Sequence, residues 1–495
     1  MANGGIIGPV NNPTSTTATG VWQQEEQYEA RVTDTWPQRA LFTTKSARFN
    51  DDSSDYLNRT PSSATNQKTF TISMWVKRSE LGAGNGLILQ GVNSGNDDFS
   101  IYFNGSTDNL AIFSWASSSE QFTLATNRKF RDVSAWYHIV VAVDTTQGTA
   151  ANRVKLYING VQETSFATEN YPSQNINLEY NDTSALWVGR GYGGTTLDGY
   201  MTEVISVDGT ALTPTSFGVT NSDGVWTPIP YSGTFGTNGF KLQFENAAAL
   251  GTDSSPNGNT FTVNNLTSID QSTDYPVVNY ATLNSLIKTT STISEGNLQY
   301  TSPGSNPVFG SLSSIGMGQG KWYGEVNYAS GSNHYLVLGV ADETFQNGST
   351  TSSYDLGKSG TTSSIAYVVN TGAYRINNSN TSWGSAGGDG QIIMWAIDRV
   401  NNKIYFGVNG VWGASSNPAS NSGGIPTTAL DSSTSWFIGC TNDTGSTETV
   451  AQFNFGSPPY AISSGNADAN GYGNFEYAVP SGYYALNTAN LAEFG

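Results

Sequence analysis

Apolar and polar positions alternate along most of this chain in short runs, and Gly, Asn, Asp and Ser break the runs apart. "RVKLYINGV" (153–161) and "NKIYFGVNGV" (402–411) show the pattern most clearly, each alternating strand running straight into Asn-Gly. Asn-Gly tolerates positive φ at both central positions of a type I′ turn, so alternation ending in this dipeptide predicts a β-hairpin. Both hairpins follow a long apolar strand that ends in Asp, "WYHIVVAVD" (Asp144) and "GQIIMWAID" (Asp398). A turn at that point pins register where a slip of one residue would turn a hydrophobic face to water. The strands around the two hairpins do not align with each other, which predicts two different all-β domains and argues against a duplication.

The pattern changes along the chain. Residues 1–40, with "GGIIGPVNNPTSTTATG", are too rich in Gly, Pro and Thr to bury a core, yet carry Ile6, Ile7, Trp22 and Trp36. Isolated apolar residues on such an arm predict docking on a neighbouring chain and a homo-oligomer. Residues 41–230 read as short strands at regular spacing, the pattern of an antiparallel sandwich. Residues 231–290 are rich in Ser, Asn, Gly and Thr and read as a connector. A second β block covers 291–460, and 461–495 reads as a packing segment whose "YYALN" echoes the earlier "NYATLN". The fold class expected is therefore all-β, two antiparallel β-sandwiches with an extended N-terminal arm.

Composition agrees and narrows the partners. The chain has 495 residues with 55 Gly, 12 Trp, 25 Tyr and 22 Phe, as strands and turns require. With 21 basic against 39 acidic residues the formal net charge is −18. That charge repels nucleic acid and anionic lipid, so neither is an expected partner. The opening "MANGGIIGPVNN" has no basic n-region or apolar h-region and no run of about 18 apolar residues follows, which predicts a protein neither exported by a signal peptide nor inserted in a membrane. Cys440 is the single cysteine; its setting in "SWFIGC" predicts a buried strand thiol.

The order "FTISMWVKR", "WYHIVVAVD", "VKLYINGV", "VGRGYGGTTLDGYMTEVISVDGTALTP" resembles the laminin-G-like jelly roll of the concanavalin A-like lectin superfamily over about 190 residues. "GKWYGEV", "GVADE", "AIDRVNNKIYFGVNGV" and "FNFG" resemble, in their order, a SPRY domain over about 160 residues. Arm, two sandwiches and the words "GGIIG" and "YYALNTANLAEFG" together resemble virion proteins of tailed phages from marine bacteria. That resemblance implies a tail fibre or capsid decoration made in the host cytoplasm, contacting other virion proteins and host cell-surface glycans. A carbohydrate-binding adhesin with no virion role is the alternative reading, and a glycoside hydrolase of the same superfamily comes after it.

Candidate chemistry is sparse. His138 alternates within its strand and reads as structural, while His334 in "GSNHYLVLG" opens a strand beside a loop and is a candidate partner contact. No G-x-S-x-G occurs. The E-x-D-x-x-E strand of the lectin-like glycosidases is absent, and Glu203 has no carboxylate two residues to either side, so no catalytic residue and no enzyme is expected. Sugar rings stack on aromatic faces, which makes Tyr171, Tyr192 and Trp412 glycan-binding candidates together with His334. No cofactor is required, though the laminin-G resemblance implies Ca²⁺ on loop carboxylates, for which "FNDDSSDY" and "GNDDFS" offer Asp51, Asp52, Asp55, Asp97 and Asp98. Thr202 stands in "GYMTEV" where related domains often carry Asp.

Overall fold

The computed structural model describes residues 44–91, 97–288, 290–303, 308–330, 335–345, 356–358, 363–442 and 448–495. The docking arm, with Ile6, Ile7, Trp22 and Trp36, lies outside them, as does His334. The described chain is two antiparallel β-sandwiches, and its single α-helix among the described residues is Thr488–Phe494.

In the first sandwich one sheet runs, edge to edge, through Val161–Gln162, Val154–Ile158, Trp136–Asp144, Thr69–Arg78, Gly199–Asp208, Ser46–Phe49 and Gln271–Ser272. The opposing sheet is built on Ser119–Lys129, Asn109–Ala116, Asp98–Phe103 and Asn85–Gly91, continued by Leu186–Val188 and Tyr56–Arg59. Phe70, Ile72, Met74 and Val76 point inward from the central strand to meet Phe99, Ile101 and Ile112 in one core. The other face of that strand is covered too, Trp75 lying with Trp136, Tyr200 and Trp226. Coverage on both faces explains why "TFTISMWVKR" is buried almost throughout, whereas Val154–Ile158, nearer the edge, alternates buried and half-buried.

The stretch 231–290 is not a free connector. Phe240–Leu242 pairs with Gly199–Asp208, Thr262–Asn264 with Tyr56–Arg59, and Gln271–Ser272 with Ser46–Phe49. Phe240, Leu242, Phe244 and Phe261 enter the first core. These strands are only two or three residues long, so the turn residues between them dominate the local pattern and hide the pairing. From Tyr275 the chain joins the second body, where Ala281 and Leu283 are core residues.

The second sandwich has a sheet through Thr292–Ser294, Gln299–Thr301, Val450–Asn454, Lys321–Ser330, Gln391–Asp398 and Lys403–Val408, facing Val308–Leu312, Trp436–Asn442, Leu336–Asp342, Ser364–Val368 and Ala373–Ile376. Its different strand order confirms that the two hairpins belong to different domains. Cys440 is buried and free, its thiol pushed well up by burial. Outside the first of these sheets lies a third layer in which Tyr275, Val278 and Tyr280 meet Tyr323, Tyr405, Phe475 and Tyr483. The echoing segments meet there: Ala281 N–H donates to the Leu486 carbonyl at 3.0 Å and Thr488 N–H to that of Asn279 at 3.0 Å.

The two hairpins share their construction. φ is +49° and +81° at Asn159 and Gly160, and +46° and +83° at Asn409 and Gly410. Each Asn side-chain oxygen accepts a backbone N–H from the preceding strand, His138 at 2.7 Å and Ile392 at 2.9 Å.

Candidate functional site

Three cavities lie along the seam between the sandwiches. One, of about 250 Å³, is lined by Lys45, Gln271, Thr273, Ser457, Tyr460 and Asn474 among others. A second, of about 260 Å³, is bordered by Arg48, Asn50, Asp55, Asp270 and Glu295. The third, of about 200 Å³, has Asp51, Ser79, Glu80 and Asp198 on one wall and Ser285, Leu286, Lys288, Thr292, Ile293 and Ser294 on the other.

The seam is fastened by polar contacts that burial strengthens. Arg48 donates to Asp270 Oδ1 at 3.1 Å and to the Ile269 and Pro458 carbonyls, and its Nε stands 3.6 Å from Glu295 Oε2. Asn50 Nδ2 donates to Glu295 Oε1 at 2.6 Å and the Tyr200 hydroxyl to the Gly296 carbonyl at 2.8 Å. Lys77 Nζ reaches Asp274 Oδ2 at 2.8 Å and Asn279 Oδ1 at 2.7 Å, while Trp136 Nε1 donates to Asp274 Oδ1 at 2.8 Å.

The third cavity holds the one group of metal-ligand type found among the described residues: carboxylate oxygens of Asp51, Glu80 and Asp198, all within 4.8 Å of one another. Sheet register brings them together. Phe49 pairs with Gly199 and Gly199 with Arg78, so the residues just past these three paired positions emerge at the same end of three adjacent strands. Asp198 is only 4% exposed, and its Oδ1 has no hydrogen-bond partner. Burial, and after it the charges of Asp51 and Glu80, push its carboxyl well above the usual range. Asp51 and Glu80 are shifted up as well, again by burial first; for Glu80 the Lys288 ammonium pulls the other way.

The five aspartates read as calcium ligands do not form one set. Asp51 joins this cluster and Asp52, exposed, borders the same cavity. Asp55 instead pins its own loop, accepting from Asn50 N–H at 3.0 Å and Ser53 Oγ at 2.7 Å. Asp97 accepts from Ser117 N–H at 2.6 Å, and with Asp98 its charge bears on Glu179 rather than on Asp51. The first Asp loop crosses from Ser46–Phe49 to Tyr56–Arg59, whereas Asp98 begins a strand paired with Asn85–Gly91 and Asn109–Ala116.

Of the glycan candidates described, Tyr171 and Trp412 lie apart from the three seam cavities. Tyr171 packs against the first core and its hydroxyl donates to Glu169 Oε1 at 3.0 Å. Tyr192 begins the short turn Tyr192–Gly194, its side chain lying outside the described set. Trp412 sits edge-on to Tyr323 and Tyr405, part of the third layer's packing. His138 is fully buried and stacked on Trp75, and Glu203 faces Lys241 Nζ at 3.2 Å while the charge of Glu245 also bears on it. Glu80, Asp198 and Ser79 escaped the sequence reading because nothing local marks them; each is an ordinary polar residue at a strand end.

Residues 51–218 match the concanavalin A-like lectin/glucanases superfamily. No curated protein matches the chain in sequence. Among solved structures, the SPRY domain of human HERC1 is similar at 13% identity, over 34% of this chain and 96% of that one, with TM-score 0.28. A heptameric SAP-like pentraxin from Limulus polyphemus is similar at 15% identity, over 34% of this chain and 76% of its own, with TM-score 0.25. Domain 4 of the extracellular arabinanase AbnA from Geobacillus stearothermophilus, solved with arabinotriose, is similar at 21% identity, over 30% of this chain and 65% of its own, with TM-score 0.24.

Proposed function

We propose that this protein is a structural component of a tailed-phage virion, a tail fibre or capsid decoration, which docks through residues 1–40 and presents its two sandwiches to host-surface glycans. The observation that carries the glycan reading is the match of residues 51–218 to a lectin-containing superfamily. The cavity lined by Lys45, Gln271, Thr273, Tyr460 and Asn474 offers the chemistry a sugar needs, amide and hydroxyl groups around one aromatic ring. Recognition here is binding without cleavage. Glu203, the strand carboxylate nearest the glycosidase position, is engaged by Lys241 at 3.2 Å.

Immobilised host-cell polysaccharide should retain the pure chain, and Asn474→Ala should lower retention several-fold without changing the melting temperature. Mass spectrometry of purified particles should find the chain, and a chain starting at Leu41 should fold yet fail to incorporate. Binding without any presence in particles would favour the non-viral adhesin. Steady release of reducing sugar would defeat the non-enzymatic reading.

A further inference from the structure

We infer that Lys77 and Asn279 join in an isopeptide bond, formed by the protein itself with Asp274 as proton carrier, so that the first sandwich and the second body become covalently linked. The three groups such a reaction needs are together: an amine, a carboxamide and a carboxylate beside the amine. Lys77 Nζ lies 2.7 Å from Asn279 Oδ1 and 2.8 Å from Asp274 Oδ2. A carbonyl carbon is about 1.2 Å from its oxygen, which puts Asn279 Cγ within about 4 Å of the amine, near the roughly 3 to 3.5 Å of an attacking pair.

Each group is held in place. Asn279 Nδ2, the leaving group, donates to the Ser134 carbonyl at 2.6 Å. The Asn279 backbone is fixed by Thr488, whose Oγ1 accepts its N–H at 3.1 Å and whose N–H donates to its carbonyl at 3.0 Å. Trp136 Nε1 engages Asp274 Oδ1 at 2.8 Å and leaves Oδ2 to the amine. Neither the Lys77 nor the Asp274 side chain is more than 2% exposed, and the Tyr200 ring lies 5.4 Å from Nζ. Moving a proton from Nζ to Asp274 therefore removes two charges from a site that water does not reach. Burial already pushes the Asp274 carboxyl above its ordinary value, although the Lys77 ammonium beside it pulls the other way.

The ion pair is the state before reaction. Nζ passes one proton to Asp274, and the neutral amine adds to Asn279 Cγ, the carbonyl electron pair moving onto Oδ1. Asp274 delivers that proton to Nδ2 and takes the second proton from Nζ. Return of the pair from Oδ1 breaks the Cγ–Nδ2 bond, ammonia leaves, and an amide remains between the two side chains. One carbon–nitrogen bond forms, one breaks, and nothing is oxidised or reduced. Asn279 and not Asp274 accepts the amine, because a carboxylate resists nucleophilic attack while the carboxamide is neutral.

Tryptic mapping of the folded full chain by tandem mass spectrometry tests this. Wild type should yield a branched peptide joining 69–78 to 242–288, uncut at Lys77 and lighter than the two peptides together by one ammonia. Lys77→Arg, Asn279→Ala and Asp274→Asn should each give linear peptides alone. Asn279 is half-buried, so Asn279→Ala should keep the far-ultraviolet spectrum of wild type and separate loss of the bond from loss of the fold. Linear peptides alone from folded wild type would overturn the bond. An ammonia loss confined to a linear peptide, as ring closure at Asn159-Gly160 gives, would count equally against it. A branch from Lys77 to Asp274 with loss of one water would overturn the choice of Asn279, and branching retained in Asp274→Asn would overturn the proton carrier.

Discussion

Lys77 and Asp274 form an ion pair with neither side chain more than 2% exposed, Nζ to Oδ2 at 2.8 Å, across the join between the first sandwich and the chain that enters the second. Breaking such a pair strands a charge where water cannot reach it. Lys77→Met should destabilise the protein by roughly 3 to 5 kcal/mol. Asp274→Asn, which keeps an acceptor for Trp136 Nε1, should cost less. Chemical denaturation of both variants beside wild type decides the order.

His138 predicts an acid-side loss of stability. Trp226 Nε1 donates to its Nδ1 at 2.9 Å, leaving Nε2–H to donate to Ser73 Oγ at 2.9 Å, so the ring is held neutral. Burial lowers its pKa from 6.5 to about 3. Below pH 6.5 the unfolded chain takes up a proton that the folded one refuses until about pH 3. Stability contributed by the neutral ring is therefore complete above 6.5 and falls, on the order of 1 kcal/mol per pH unit, as pH drops through that window. Urea midpoints measured from pH 7 to 4 should show a slope that His138→Gln removes.

The hairpin glycines should differ in tolerance. A Cβ on Gly160 would lie 2.6 Å from the Trp226 ring, whereas one on Gly410 would lie 3.0 Å from Tyr477. Both positions also carry the left-handed penalty of about 1 to 2 kcal/mol. Gly160→Ala should therefore lower the melting temperature more than Gly410→Ala; equal losses would mean that the ring under Gly160 moves aside freely.

Glu325 holds the C-terminal segment to the second sandwich. Its carboxylate accepts N–H groups of Glu476 at 2.9 Å and Tyr477 at 2.8 Å and the Tyr323 hydroxyl at 2.8 Å. Glu325→Ala leaves these donors unpaired at about 1 to 3 kcal/mol apiece. Faster hydrogen exchange and new protease cleavage near 476–477 should follow, with the first sandwich unaffected.

Alternation and turn chemistry determined, from the sequence alone, that the chain folds as two sandwiches with two Asn-Gly hairpins, because period-two patterning and positive φ at Asn-Gly are local properties. The buried thiol of Cys440 and the structural role of His138 were legible for the same reason. Local pattern could not show that Phe240–Leu242 and Gln271–Ser272 are strands of the first sandwich, since strands so short take their pairing from partners far along the chain. Nor could it show that Asp51, Glu80 and Asp198 share one cavity. Each lies just beyond a strand end, and only the register of Ser46–Phe49, Gly199–Asp208 and Thr69–Arg78, with the second body packed across them, decides that their charges meet.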